Sequence, residues 1–214
     1  MIKVKICGIT NIQDAILAID YGADAIGFIF APSPRQVTPE HAREIINQLP
    51  PSICKIGVFV DSKLETVNDT KTKCHLDIVQ LHGSESPEYC EALLPNVIKS
   101  FQVKDETILR LLPNYKVKAY LLDSYHAKLK GGTGHSFNWS IARKAKEYGP
   151  IILSGGLNPN NINQAIDAVQ PFAVDVSSGV EATPGKKDPD KMHTFLKTAK
   201  QIQLERTKNL EFTR

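Results

Sequence analysis

A cysteine, an aspartate, an arginine and several glycine clusters stand in this chain where chemistry is possible. The clusters are Gly131-Gly132-Thr133-Gly134, Ser154-Gly155-Gly156 and Ser177-Ser178-Gly179-Val180-Glu181. Glycine lets backbone amides approach an anion without interference from a Cβ. Gly132, Gly134, Gly155, Gly156, Ser177, Ser178 and Gly179 are therefore read as phosphate-binding. A single Gly-Gly pair would serve equally well as a tight turn; three clusters at the ends of neighbouring strands favour phosphate. Most free cysteines are small buried hydrophobes, and Cys54, Cys74 and Cys90 fit that role. Cys7 differs because it ends a short apolar run. Asp123 also ends one, just before the first glycine cluster. A turn or cap is the common role for such an aspartate; a general acid is the functional one. Arg35 lies in Ala31-Pro32-Ser33-Pro34-Arg35, where two prolines stiffen the segment, and a stiffly held guanidinium suits a carboxylate-bearing substrate.

The elements that would position these residues alternate from end to end. Strands are expected at Val4–Ile6, Ala25–Phe30, Lys55–Val60, Ile78–Leu81, Val97–Phe101, Ala119–Leu122, Ile151–Ser154 and Ala173–Val176. Helical spacing follows each one. The first helix is expected to start at a capping box of Thr10 and Gln13 and to end near Gly22. The second is expected to start at Thr38 with Pro39 in its first turn. Others are expected at Ser62–Lys71, Ser86–Leu94, Glu106–Leu112, Trp139–Tyr148 and Asn160–Val169. The last starts near Pro189 with Met192, Phe195, Leu196 and Ala199 on one face, followed by a charged extension after about Leu204.

Eight strand–helix units in 214 residues fit either a closed (β/α)₈ TIM barrel or an open doubly wound sheet. The open sheet would want G-x-G-x-x-G after the first strand, and Cys7-Gly8-Ile9-Thr10 stands there instead. The barrel is the expected α/β architecture, as one domain, since no linker or composition shift marks a boundary. Its active site would then lie at the strand C-terminal ends. Side chains alternate along a strand, so Lys5 and Cys7 share the face opposite Val4 and Ile6. The apolar pair must face the helices, which turns Lys5 into the barrel and Cys7 to its mouth. A buried cation needs a partner, and Asp175, inward on the neighbouring eighth strand, is the natural one. His82 follows the fourth strand; a satisfied loop histidine is its bland reading and a substrate contact its functional one. His41, His75, His126, His135 and His193 show no metal-ligand spacing, so no metal is expected.

Lysine plus arginine number 26 and aspartate plus glutamate 23, a formal charge of +3 with both signs dispersed. No basic stripe invites nucleic acid. The start, Met-Ile-Lys-Val-Lys-Ile-Cys, interleaves lysines with apolar residues, which suits neither a signal peptide nor a membrane span, so a cytoplasmic location is expected. The four cysteines have no C-x-x-C spacing and are expected to be free thiols.

Taken together, Lys5-Ile6-Cys7-Gly8-Ile9-Thr10, Gly27-Phe28-Ile29-Phe30, Ser33-Pro34-Arg35, Gly57-Val58-Phe59-Val60, Gln80-Leu81-His82-Gly83, Gly132-Thr133-Gly134, Leu153-Ser154-Gly155-Gly156-Leu157 and Asp175-Val176-Ser177-Ser178-Gly179-Val180-Glu181 resemble the phosphoribosylanthranilate isomerase family. The resemblance covers all but the last dozen or so residues. It implies an Amadori rearrangement in tryptophan biosynthesis, without a cofactor, with Cys7 as general base and Asp123 as general acid. It also implies Arg35 on the anthranilate carboxylate and Asp175 as a further active-site carboxylate. The partner is a phosphorylated sugar derivative, and the assembly a monomer or homodimer. Three alternatives meet specific objections. An indoleglycerol-phosphate-forming lyase would be expected to offer lysine and glutamate at the mouth. A metal-dependent epimerase would need several inward histidines. A non-catalytic phosphosugar-binding module would need neither Cys7 nor Asp123.

Overall fold

In the computed structural model, residues 2–124 and 138–211 are described, the side chains as far as residue 201. Gly132 and Gly134 lie outside the described residues, as do His126 and His135. Eight parallel strands close into a barrel in sequence order: β1 (Lys3–Cys7), β2 (Ala25–Ile29), β3 (Cys54–Phe59), β4 (Ile78–Leu81), β5 (Val97–Val103), β6 (Ala119–Ser124), β7 (Ile151–Leu153) and β8 (Ala173–Val176). Closure is made by β1 against β8, in a register that sets Lys5 opposite Asp175.

The helices are α1 (Ile12–Asp20), α2 (Pro39–Ile46), α3 (Leu64–Lys73), α4 (Pro87–Glu91), α5 (Trp139–Ala145), α6 (Ile162–Val169) and α7 (Pro189–Glu211). Three local expectations are corrected. The N-cap of α1 is Asn11, whose side chain accepts from the Asp14 amide; Thr10 instead turns away to donate to the Gly185 carbonyl. Residues Glu106–Arg110 and Leu112–Asn114 form two short 3₁₀ turns rather than an α-helix. An unexpected hairpin of β9 (Glu181–Thr183) and β10 (Lys186–Lys187) stands between β8 and α7. The α2 cap matches expectation, with Thr38 accepting from the His41 amide and Pro39 in the first turn. Met192, Phe195, Leu196 and Ala199 on α7 are fully buried. Helical backbone continues past Leu204 to Glu211.

Alternation sorts the strand side chains into two cores. Outward residues such as Val4, Ile6, Ile26, Phe28, Val79 and Leu81 pack under the helices. Inside, Ile56, Ile98, Ala119, Leu121, Ile152 and Ala173 form a separate apolar cluster. Two residues further along the same strands, polar groups take over: Ser100 after Ile98, Asp123 after Leu121, Ser154 after Ile152 and Asp175 after Ala173. The inner apolar cluster is thus a floor, and the functional side chains stand above it. No helix among the described residues is long and apolar enough to cross a membrane.

Candidate active site

Lys5 lies on the inner face of β1 and is almost wholly buried. Its ammonium donates to Asp175 Oδ1 at 2.9 Å and to Gln80 Oε1 at 2.9 Å. Asp175 Oδ2 accepts from the Ser154 hydroxyl at 3.2 Å. The ion pair expected from strand alternation is therefore present, and each partner has a further hydrogen bond of the kind a buried pair needs. Burial opposes the charged lysine, but the Asp175 and Cys7 side chains outweigh it and raise the Lys5 pKa.

Cys7 ends β1 one inward position above Lys5 and is buried. A lysine two residues upstream suggests a thiol shifted toward thiolate, yet burial pushes the Cys7 thiol up; Lys5 and Lys187 pull it down only in part, and Asp175 pushes it further up. Desolvation of the thiolate wins over the neighbouring cation.

Asp123 falls inside β6 rather than beyond it, because the strand runs two residues further than the apolar run indicates. Its Oδ2 lies 3.4 Å from His82 Nε2, while His82 Nδ1 faces Gln80 Nε2 at 3.2 Å. A continuous line of side chains thus crosses the barrel from Asp175 through Lys5, Gln80 and His82 to Asp123. It joins three of the expected site residues, His82, Asp123 and Asp175, and Cys7 stands beside it, its Sγ and the Lys5 ammonium both crowding Gly27. Gln80 was read only as part of a motif. The signal for it is the same alternation that oriented β1: Val79 and Leu81 point to the helices, so Gln80 points inward.

Arg35 follows β2 and leans over the mouth. It is held by a bidentate pair with Glu181, Nε to Oε1 at 2.7 Å and Nη2 to Oε2 at 2.6 Å. Hydrogen bonding to Glu181 raises the Arg35 pKa further. The Glu181 carboxyl is driven down: burial opposes its charge, but Arg35 and Lys187 more than compensate. Lys187, from the hairpin, donates to Glu181 Oε1 at 3.0 Å and to the Cys7 carbonyl at 2.6 Å, tying the hairpin to the end of β1. Neither Glu181 nor Lys187 was singled out for this role, and 146 residues separate Glu181 from Arg35 with no local pattern to announce the pairing.

The glycine-bearing ends of β7 and β8 are adjacent. Gly155 and Gly156 both have positive φ, +84° and +71°, which a side chain would strain. A Cβ on Gly179 would lie 1.8 Å from the Leu157 carbonyl oxygen, so these two loops approach as closely as backbone allows. Ser177 Oγ is buried there without a hydrogen-bond partner.

Comparisons with known proteins agree along the whole barrel. The family model described as N-(5'phosphoribosyl)anthranilate (PRA) isomerase matches residues 4–198. An N-(5'-phosphoribosyl)anthranilate isomerase of Geotalea uraniireducens is 56% identical over 201 residues, 94% of this chain and 99% of the relative. The crystal structure of phosphoribosyl anthranilate isomerase from Thermotoga maritima is similar with a TM-score of 0.88 and 46% identity, covering 94% of this chain and 100% of that one. A phosphoribosyl anthranilate isomerase in complex with reduced 1-(o-carboxyphenylamino)-1-deoxyribulose 5-phosphate is similar at TM-score 0.85 and 44% identity, with the same coverage.

Proposed function

Because the chain belongs to the N-(5'-phosphoribosyl)anthranilate isomerase family, we infer that it carries out the Amadori rearrangement of N-(5-phosphoribosyl)anthranilate in tryptophan biosynthesis with Cys7 and Asp123 as its base and acid. The observation that carries this reading is the linked constellation: an inward thiol on β1 stands beside Lys5, from which Gln80 and His82 lead across the barrel to an inward carboxyl on β6.

The chemistry follows from those two groups. Asp123, protonated, gives its proton to the furanose ring oxygen. The C1′–O bond breaks as the anthranilate nitrogen lone pair forms C=N, leaving an open-chain iminium. The Cys7 thiolate then takes the proton from C2′, and the electron pair neutralises the iminium to give an enolamine. Transfer of the C2′ hydroxyl proton to C1′ completes the ketone. Only protons move, so positioned acid and base groups suffice. Arg35, oriented by Glu181, takes the anthranilate carboxylate in this reading. The amides around Gly155, Gly156, Ser178 and Gly179, with the Ser177 hydroxyl, take the phosphate, the usual use of these loops in such barrels. Gly132 and Gly134, outside the described residues, are assigned to the same phosphate on their sequence motif alone. His82 lies beside the substrate through its contact with Asp123, and Asp175 acts through Lys5.

The purified chain, given N-(5-phosphoribosyl)anthranilate alone, is expected to convert it to the carboxyphenylamino-deoxyribulose phosphate. Loss of the aminoaldose fluorescence and chromatographic identification of the product check this. A folded protein that leaves the substrate intact would overturn the reading.

A further inference from the structure

The line of polar side chains between Lys5 and Asp123 has a direction. An ammonium has donors and no acceptor, so the atom of Gln80 that faces Lys5 must be the carbonyl oxygen Oε1. The amide is planar, and its Nε2 is thereby turned to His82 Nδ1, 3.2 Å away. An amide N–H meeting a ring nitrogen requires a lone pair on that nitrogen. In a neutral imidazole the proton is then on the other one. That other nitrogen, Nε2, stands 3.4 Å from Asp123 Oδ2. A carboxylic acid that accepts at Oδ2 carries its hydroxyl on Oδ1. Asp123 Oδ1 lies against Gly155, where a Cβ would come within 2.7 Å of it, so the missing side chain leaves that oxygen room at the end of β7.

We propose that Gln80 is a positioning residue that passes the donor polarity of the buried Lys5 ammonium to His82, fixing the Nε2–H tautomer and so placing the acid proton of Asp123 on Oδ1. This rests on the reading of Asp123 as the general acid and adds what selects its proton-bearing oxygen. Lys5 then serves both halves of the reaction, standing beside the Cys7 thiol where both side chains crowd Gly27 and reaching Asp123 through two intervening groups.

A purely structural Gln80 would only fill the barrel and satisfy Lys5. Gln80→Glu separates the two roles. It has nearly the same shape and still accepts from Lys5, but it offers His82 Nδ1 an acceptor in place of a donor. Full-length protein labelled with ¹⁵N-histidine, with the His82 signals assigned by difference from His82→Asn, reads the outcome. The wild type should show a protonated Nε2 and an unprotonated Nδ1. Gln80→Glu should protonate Nδ1 and lower kcat about tenfold, the equivalent of one lost hydrogen bond, with KM little changed. An unchanged His82 pattern in folded Gln80→Glu would overturn the proposal. So would a protonated Nδ1 in the wild type, a measurement that does not depend on Gln80→Glu folding. Asp123→Asn tests the underlying reading separately: full turnover there removes the acid role of Asp123 while leaving the ¹⁵N result to speak for the tautomer.

Discussion

Cys7 is caught between two opposed influences, and their balance sets how the base titrates. Burial disfavours the thiolate more than Lys5 and Lys187 favour it, with Asp175 adding to the burial side. The folded chain therefore holds this proton more tightly than the unfolded one. Its contribution to stability is complete below the ordinary thiol range and is lost as pH climbs through the raised folded value. The same sign applies to activity: kcat/KM should still be rising well above pH ~8.5, the midpoint of an unperturbed thiol. In Lys5→Met the ascending limb should move higher still, because the largest thiolate-favouring group is gone and Asp175 is left without its cation. A limb that stays in place in the folded variant would deny Lys5 any electrostatic effect on the thiol. Arg35→Lys keeps a charge over the mouth but loses the planar fork that Glu181 grips and a carboxylate would pair with. It should raise KM by about tenfold with kcat nearly unchanged; a fall confined to kcat would place Arg35 in the chemistry instead of in binding. The inward orientation of Lys5 and its pairing with Asp175 were legible from alternation alone. The pairing of Arg35 with Glu181 was not, because it joins two loops that no periodicity relates.

At the scale of elements, the eight strands announced themselves through short apolar runs, each followed by helical spacing. Their ends were less legible. Asp123 is polar, so an apolar run stops before it, whereas the strand continues because its backbone still pairs with β5 through Ser124. Thr10 and Asn11 are both good caps, and the Gly185 carbonyl, distant in sequence, engages Thr10 and leaves the cap to Asn11. The hairpin of β9 and β10 is too short to show alternation, although its Pro184-Gly185 is a recognisable turn pair. Asn11→Ala should cost about 1 kcal/mol, seen as a lower midpoint in urea with an unchanged m-value. A loss within error would return the cap to Thr10. Gly179→Ala should force the β8 loop off the Leu157 carbonyl. Inorganic phosphate, tested as a competitive inhibitor, should then bind more weakly than to the parent; undiminished inhibition in a folded variant would move the anion site away from these loops.

The whole molecule separates stability from function along the barrel axis. The apolar floor of Ile56, Ile98, Leu121 and Ile152 supplies none of the proposed acid, base or binding groups, and the polar tier above it supplies nearly all of the constellation. Outside that tier, Lys99 and Glu85 form a buried pair at 2.9 Å in which Glu85 also accepts from the Asp61 and Gly83 amides. Removing one partner strands the other, so Lys99→Met should destabilise the fold by about 3–5 kcal/mol. Melting curves read that cost, and a loss below about 1 kcal/mol would mean the Glu85 carboxylate is satisfied by backbone alone. The barrel was legible because eight repeats of one pattern admit few closures, and the site was legible as far as strand ends could be placed. Catalysis rests most directly on the proposed acid and base themselves. Steady-state turnover of N-(5-phosphoribosyl)anthranilate should fall about 10²–10⁴-fold in kcat for Cys7→Ala and for Asp123→Asn, with KM little moved. Wild-type turnover by folded Cys7→Ala would contradict it.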